Sequence, residues 1–423
     1  MDTAMNEKST LLVTVTGHDR PGISARLLST LSVFPVTIAD LEQVVLAGRL
    51  VLGAVLEVDE RVAPGVSPSR VFEEVRNALD KTAIDLDMEV GYGKSGGKDN
   101  GRVKAVVHDR LHVTVLADPL RPGALGALTS CVARAGANID RIERLSSFPV
   151  TSVEMEISGG DADQLRAELA MEGSTQGVDV AVQPSGLHRR AKHLIVMDVD
   201  STLIQGEVIE LLAAHAGCAD EVARVTEEAM RGELDFEESL RRRVMLLRGL
   251  DASAIPKVCE EIQLTPGART LVRTLKRLGY ECGIVSGGFT QFTDVLVERL
   301  GLDYAAANTL EIVDGKLTGE LVGPIIDRKG KATTLERFAA EAGVPLEQTV
   351  AVGDGANDLD MLQAAGLGVA FNAKPVVRQQ ADTSVSVPYL DTIAFILGIT
   401  REEIEAADMR DQIDPVSDSV PHD

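Results

Sequence analysis

No stretch of this 423-residue chain approaches the about 18 consecutive apolar residues that a membrane-spanning helix needs, so none is expected. The amino end, Met1-Asp2-Thr3-Ala4-Met5-Asn6-Glu7-Lys8, lacks a hydrophobic signal segment, which points to the cytoplasm. Cysteine is scarce. Cys131, Cys218, Cys259 and Cys282 stand far apart without a C-x-x-C pair, which argues against structural zinc and for reduced, mostly buried thiols. Basic residues are outnumbered, with 42 Lys and Arg against 65 Asp and Glu and a net charge of −23. That excess disfavours nucleic acid and anionic membrane surfaces as partners. An anionic small molecule stays open, because local charge decides binding there. Apolar residues make up 44%, enough for real cores, and the length fits two to four domains.

What is present is chemically pointed. Leu194-Ile195-Val196-Met197 reads as a buried parallel strand, and Asp198-Val199-Asp200-Ser201-Thr202 follows it. Ligands of open α/β sheets bind beyond the carboxyl ends of strands. Carboxylates so close repel and resist joint ionisation unless a cation lies between them. Mg²⁺ takes one or two carboxylates together with phosphate oxygens. The alternative is a turn or helix cap built from Asp, Ser and Thr. A second apolar run, Thr349-Val350-Ala351-Val352, leads into Gly353-Asp354-Gly355-Ala356-Asn357-Asp358, whose glycines allow close backbone approach. Between them, Glu281-Cys282-Gly283-Ile284-Val285 leads into Ser286-Gly287-Gly288-Phe289 and a helical pattern. A hydroxyl and backbone N–H groups at a helix start suit an oxyanion. Asp327-Arg328-Lys329-Gly330-Lys331 opens the helix before the Asp354 strand.

In this order the motifs D-x-D-S-T, S-G-G-F, K-x-x-x-L-E and G-D-G-x-N-D resemble the haloacid dehalogenase superfamily of phosphotransferases, over residues 192–398. Within it, the chain is similar to the phosphoserine-hydrolysing branch. The resemblance implies an α/β fold, a doubly wound parallel sheet (HAD-like) with a helical cap. It implies Mg²⁺ as cofactor and hydrolysis of O-phospho-L-serine to L-serine and phosphate through an aspartyl phosphate, the final step of serine biosynthesis. Asp198 is then the nucleophile and Asp200 the general acid and base. An acid at that second position suits a phosphatase, which releases both an alcohol and phosphate. Mg²⁺ is expected on the Asp198 side chain, the Asp200 backbone carbonyl and the Asp354 side chain. Ser286, the Gly287 N–H and Asn357 are expected to hold phosphate. Lys331 is chosen over Lys329 by the family's spacing to Asp354, and stabilises phosphoryl charge. Asp358 either stands behind the metal ligands or caps a helix.

Residues 206–264 interrupt the sheet pattern with helical stretches at 207–215, 219–231, 236–247 and 253–262. An insertion here is placed to act as a cap that excludes water. Glu207 resembles the family residue that binds the substrate amino group. Arg241-Arg242-Arg243 first reads as a solvated basic face. At about 100° per residue, however, Arg243 falls within about 20° of Phe236, and Leu240 and Leu247 share that side. An arginine on an apolar stripe needs an anionic partner. That partner is either the substrate carboxylate, held bidentately, or an internal carboxylate. Phe236 packs there or closes over the substrate. Beyond the cap, Asp314-Gly315 marks a β-hairpin.

The amino-terminal half repeats itself. Leu11-Leu12-Val13-Thr14-Val15 returns as Leu111-His112-Val113-Thr114-Val115, and Ile38-Ala39-Asp40-Leu41-Glu42 as Ile139-Asp140-Arg141-Ile142-Glu143. Each copy runs strand, helix, two strands, helix, strand, the ferredoxin-like βαββαβ pattern. The pair resembles ACT domains, which often bind amino acids. In the first copy Gly17, Asp19 and Gly22 match the family's G-x-D-x-P-G ligand loop; the second copy lacks the leading glycine and has an extra residue. Either copy could instead only pack and dimerise. The expected organisation is an ACT-like domain at 1–92, a glycine-rich linker at 93–108, a second ACT-like domain at 109–184, the phosphatase at 185–400 and a frayed acidic tail at 401–423. A homodimer with L-serine or another amino acid as regulatory ligand is expected. Two other readings remain: a phosphatase for another small phosphomonoester, and an amino-acid-sensing regulator with an inactive phosphatase module.

Overall fold

The computed structural model describes residues 10–58, 64–93, 110–186, 189, 191–231 and 233–413. The expected linker, beyond Gly93, lies outside the described residues. The chain divides into two compact units, 1–107 and 108–423.

The first unit holds β1 (Thr10–His18), α1 (Ile23–Leu31), β2 (Val36–Leu46), β3 (Arg49–Val58), α2 (Pro68–Asp85) and β4 (Met88–Gly93). Its antiparallel sheet has the order β2-β3-β1-β4. Alternation along β1 buries Leu11, Val13 and Val15 against Leu27, Val75 and Leu79 of the two helices. Gly17 is explained by close packing, since a Cβ there would lie 2.3 Å from the Met88 sulfur. Gly22 takes φ 96° ahead of α1, a conformation that favours glycine.

The second unit begins with the same topology: β5 (Leu111–Ala117), α3 (Pro122–Arg134), β6 (Asn138–Ser146), β7 (Thr151–Ser158), α4 (Ala162–Gln176) and β8 (Asp179–Pro184). Then come β9 (Leu194–Asp198) and four helices: α5 (Val208–Ala216), α6 (Ala219–Met230), α7 (Phe236–Leu246) and α8 (Ala254–Glu261). They match the four expected cap helices to within two residues at each end. The chain continues with α9 (Ala268–Arg277), β10 (Glu281–Phe289), α10 (Thr290–Leu300), β11 (Tyr304–Val313), β12 (Lys316–Val322) and α11 (Arg328–Ala342). It closes with β13 (Thr349–Gly353), α12 (Leu359–Ala364), β14 (Gly368–Phe371), α13 (Pro375–Arg378), β15 (Thr383–Val385), α14 (Thr392–Ile396) and α15 (Arg401–Arg410).

One sheet runs through the whole second unit, in the order β12-β11-β10-β9-β13-β14-β15-β8-β5-β7-β6. From β11 to β15 the strands are parallel. The β11–β12 hairpin turns at Asp314 and Gly315, both with positive φ, as the dipeptide implies. Every residue of β9 and β13 is buried, which explains their unbroken apolar runs. Burial of each large side chain there contributes about 2 kcal/mol. The chain winds outward from β9 through β10 to β11, then returns to place β13 on the other side of β9. The topological switch point therefore lies between β9 and β13, where ligands of such sheets bind.

Two features differ from expectation. The boundary at 184–185 separates two modules in sequence but not two sheets, because β15 pairs antiparallel with β8 at Thr383 and Ala181. Asp179 accepts from the Ser386 N–H at 2.6 Å, and Gln183 donates to the Ile396 carbonyl at 2.7 Å. The tail is not frayed over its first part. Arg401–Arg410 is a helix, and its buried Asp408 is clamped by Arg273 at 2.8 Å and Arg277 at 2.5 Å. These arginines on α9 supply the countercharge that an acidic run read alone lacks. The expectation for 414–423 lies outside the described residues. All four cysteines are free; Cys131 and Cys282 are buried, Cys218 and Cys259 only half-buried. Among the described residues no helix is long and apolar enough to cross a membrane.

Candidate active site

Asp198 is the last residue of β9, and Asp354 is the first after β13. Adjacent parallel strands thus deliver both carboxylates to the switch point. Gly353 makes this possible, since a Cβ there would lie 2.5 Å from the Asp358 carboxyl carbon. Asp198, Asp354 and Asp358 each offer an oxygen, and these oxygens lie within 4.8 Å of one another. Lys331, on the first turn of α11, donates to Asp198 at 2.7 Å and to Asp358 at 2.6 Å. It is only 1% exposed, whereas Lys329 faces solvent. Residues two apart on a helix point about 200° apart, so only one of the two can face the site.

Electrostatics sets the character of this cluster. Three buried or half-buried carboxylates against one ammonium leave an excess of negative charge. Burial, reinforced by the Asp358 charge, holds the Asp198 carboxyl well above the usual carboxylate range, against the pull of Lys331. Burial and then Asp358 push Asp354 up to about 6. For Lys331 burial acts to lower the pKa, but the flanking Asp198 and Asp358 outweigh it and raise it. A group of hard oxygens whose negative charge exceeds its countercharge is suited to a small divalent cation. The residues fit Mg²⁺ on that ground.

The remaining expected residues converge on the same place. The Asp200 carboxylate accepts from Val208 N–H at 2.8 Å and from the Ser286 hydroxyl at 3.0 Å, which ties the first helix after β9 to the end of β10. Ser201 takes φ 59° in the tight turn that brings Asp200 round. Ser286 also accepts from Gly288 N–H at 2.7 Å. The Ser286-Gly287-Gly288 segment is the extended end of β10, and the helix opens only at Thr290. This departs from the expected helix start. After a bulge Phe289 still pairs with Asn308 of β11, which keeps the segment extended. Gly287 and Gly288 are required by space: a Cβ would lie 2.9 Å from the Phe236 ring and from the Ser286 hydroxyl respectively. Asp358 accepts from Lys331 at 2.6 Å and caps a short helical turn by accepting from Gly355 N–H at 2.9 Å. Asn357 lines the cavity, as do Asp198, Asp200, Glu207, Arg243, Gly287, Lys331 and Asp354.

That cavity has a volume of ≈ 740 Å³ and lies between the strand ends and α5–α7. The helical phase of α7 is as expected. Arg241 and Arg242 pair at the surface with Glu237 and Glu238, one turn back. Arg243 turns inward and meets Glu207 at 3.4 Å, so the internal carboxylate considered above exists. The pair is loose, and the Arg243 Nε is buried without a hydrogen-bond partner. Burial, followed by the charge of Asp200, raises the Glu207 pKa. Sequence reasoning missed several neighbours. Thr202 donates to Asp354 at 3.3 Å, and its place in the D-x-D-S-T motif was the available signal. Asn308 fixes the Gly287 carbonyl at 2.8 Å from a neighbouring strand, which no local pattern reveals. Lys374 follows β14 and lines the cavity, as a residue beyond a strand end can.

The chain is similar to known proteins along most of its length. Residues 195–363 match the haloacid dehalogenase-like hydrolase family, and residues 9–93 and 110–183 each match an ACT domain. A phosphoserine phosphatase of Streptomyces coelicolor is 58% identical over 399 residues, covering 94% of this chain and 94% of its own. The chain belongs to the phosphoserine phosphatase family. A second phosphoserine phosphatase, from Mycobacterium tuberculosis, is 50% identical over 410 residues, 96% of this chain and 97% of its own. The crystal structure of a probable phosphoserine phosphatase from Vibrio cholerae, unliganded, superposes with a TM-score of 0.55 at 37% identity, over 70% of this chain and 88% of that one. Membership in the family makes the chain an enzyme, a phosphoric monoester hydrolase with two ACT domains.

Proposed function

We propose that the chain hydrolyses O-phospho-L-serine to L-serine and phosphate, with Mg²⁺, through a phosphoryl group carried on Asp198. The observation that carries this reading is the convergence of Asp198, Asp354, Asp358 and Lys331 beneath a cap that presents Glu207 and Arg243. Asp198 attacks phosphorus and the seryl oxygen leaves, taking a proton from Asp200. Water then attacks the phosphoaspartate, gives its proton back to Asp200, and phosphate departs. The Gly287 N–H, Asn357 and Lys331, which line the cavity, hold the phosphoryl oxygens, and Ser286 joins them once its hydroxyl turns from Asp200. Mg²⁺, held by Asp198, the Asp200 carbonyl and Asp354, would offset negative charge on those oxygens. Glu207 receives the substrate ammonium and Arg243 its carboxylate, which replace the loose pair they make with each other.

The substrate assignment has a direct test. Arg243→Ala should lower kcat/KM for phosphoserine by roughly 100-fold, while p-nitrophenyl phosphate, with no carboxylate, loses less than about threefold. Equal losses would favour another small phosphomonoester.

Metal dependence carries a pH signature. With Asp354 at about 6, its contribution to metal-free stability is complete below about pH 4 and is lost as pH rises through about 6. A cation favours the ionised form, so Mg²⁺ and protons compete. Thermal denaturation should show a larger upward shift on adding Mg²⁺ at about pH 7.5 than at about pH 5. A shift of the same size at both values would count against the carboxylate site.

The ACT domains are proposed to sense L-serine in a cytoplasmic homodimer. The sheet shared by β8 and β15 supports this, because it joins the second ACT domain to the catalytic strands by backbone pairing. Four free cysteines suit a reducing compartment. Millimolar L-serine should change turnover or the sedimenting mass of a dimer; an inert monomer would refute the regulatory reading.

A further inference from the structure

Serines and threonines within helices can return their hydroxyl to the carbonyl four residues back. Elsewhere in this chain Ser130 does so to Gly126 at 2.7 Å, and in the cap Thr226 does so to Val222 at 3.0 Å. Ser239 on α7 does not. It is 2% exposed, its hydroxyl has no hydrogen-bond partner, and it lines the cavity. One turn further along the same face is Arg243, whose buried Nε is also without a partner and which lines the same cavity. Buried polar groups left in this state are unfavourable, and each calls for an explanation.

The two groups are complementary to one kind of ligand. A guanidinium only donates, so whatever satisfies the Arg243 Nε is an acceptor. A hydroxyl one turn away on the same helix face can donate to a second acceptor beside the first. Two adjacent acceptor oxygens bearing negative charge describe a carboxylate. The phosphoryl group is assigned above to the strand ends, near Asp198, Lys331 and Ser286. Phe236 marks that end of α7, since its ring abuts Gly287, and Ser239 lies between Phe236 and Arg243 along the helix.

We infer that Ser239 is a specificity-determining residue whose hydroxyl donates to the carboxylate of the substrate beside Arg243. The inference rests on the phosphoserine reading above and adds a second donor to it. A substrate with the ammonium but no carboxylate gains nothing from Ser239.

Ser239→Ala is the test, because alanine is the best helix former and leaves no large void. KM should be measured for O-phospho-L-serine and for O-phosphoethanolamine, which lacks the carboxylate. The expected result is an increase of about tenfold for phosphoserine and less than about twofold for phosphoethanolamine, with kcat for both nearly unchanged. Equal changes for the two substrates would overturn the inference. So would an unchanged KM accompanied by a higher melting temperature, the mark of a hydroxyl that was only a buried liability. Arg243→Ala measured on the same pair separates the two readings: if it discriminates and Ser239→Ala does not, only the Ser239 inference fails. If Arg243→Ala fails to discriminate, the phosphoserine reading fails as well.

Discussion

Asp198→Asn is expected to abolish phosphate release, with a loss of about 10⁴-fold or more. The carboxamide nearly preserves shape but cannot act as an anionic nucleophile. Asp198 sits at the end of a fully buried strand, and its oxygen is 2.7 Å from Lys331. Two neighbouring carboxylates are already engaged, Asp358 by Lys331 and Gly355, and Asp200 by Val208 and Ser286. Folding should survive. Burial makes ionisation of Asp198 unfavourable in the metal-free protein, so a neutral side chain there should match or exceed the thermal stability of the parent. Beryllofluoride, which mimics a phosphoryl group on aspartate, should bind the parent in the presence of Mg²⁺ and fail to bind the variant. Near-parental turnover in Asp198→Asn would overturn the mechanism.

Lys331→Met should damage both chemistry and fold. The ammonium is only 1% exposed and lies between Asp198 and Asp358. Methionine fills much of the volume but leaves two buried carboxylates with no countercharge from α11. Removing one partner from such a cluster costs about 3–5 kcal/mol. Turnover should fall by about 10³-fold, since a preorganised cation facing the phosphoryl oxygens is lost. The stability loss should shrink as pH falls, because burial already raises the Asp198 pKa and, without Lys331, the carboxylate would take up the missing positive charge as a proton. Calorimetry of metal-free protein at several pH values checks the sign. A variant as stable as the parent at neutral pH would show that Lys331 does not neutralise the cluster.

The site was legible to the extent that local pattern and position in the fold coincide. Asp198, Ser286 and Asp354 each follow an apolar run, and strand ends are where α/β sheets bind ligands. Arg243 was legible through helical phase, which also placed Arg241 and Arg242 outside. Choosing Lys331 over Lys329 depended on family spacing, and its burial agrees with that choice. Asn308 and Ser239 were not legible. One acts from a neighbouring strand, and the other is distinguished by a bond it does not make.

The sequence by itself determined the order of elements, the repeat, the cap helices, and which acids end which strands. All of these follow from periodicity and turn chemistry within a few residues. Only the tertiary structure decided that β8 and β15 join two modules into one sheet, and that Asp408 docks the carboxyl-terminal helix onto arginines of α9. It also decided that Glu207 and Arg243, both lining the cavity, meet each other. Each of these pairings joins residues tens to hundreds of positions apart. Their energy lies in charges and backbone groups that find partners only when the chain is folded, and no local pattern encodes it.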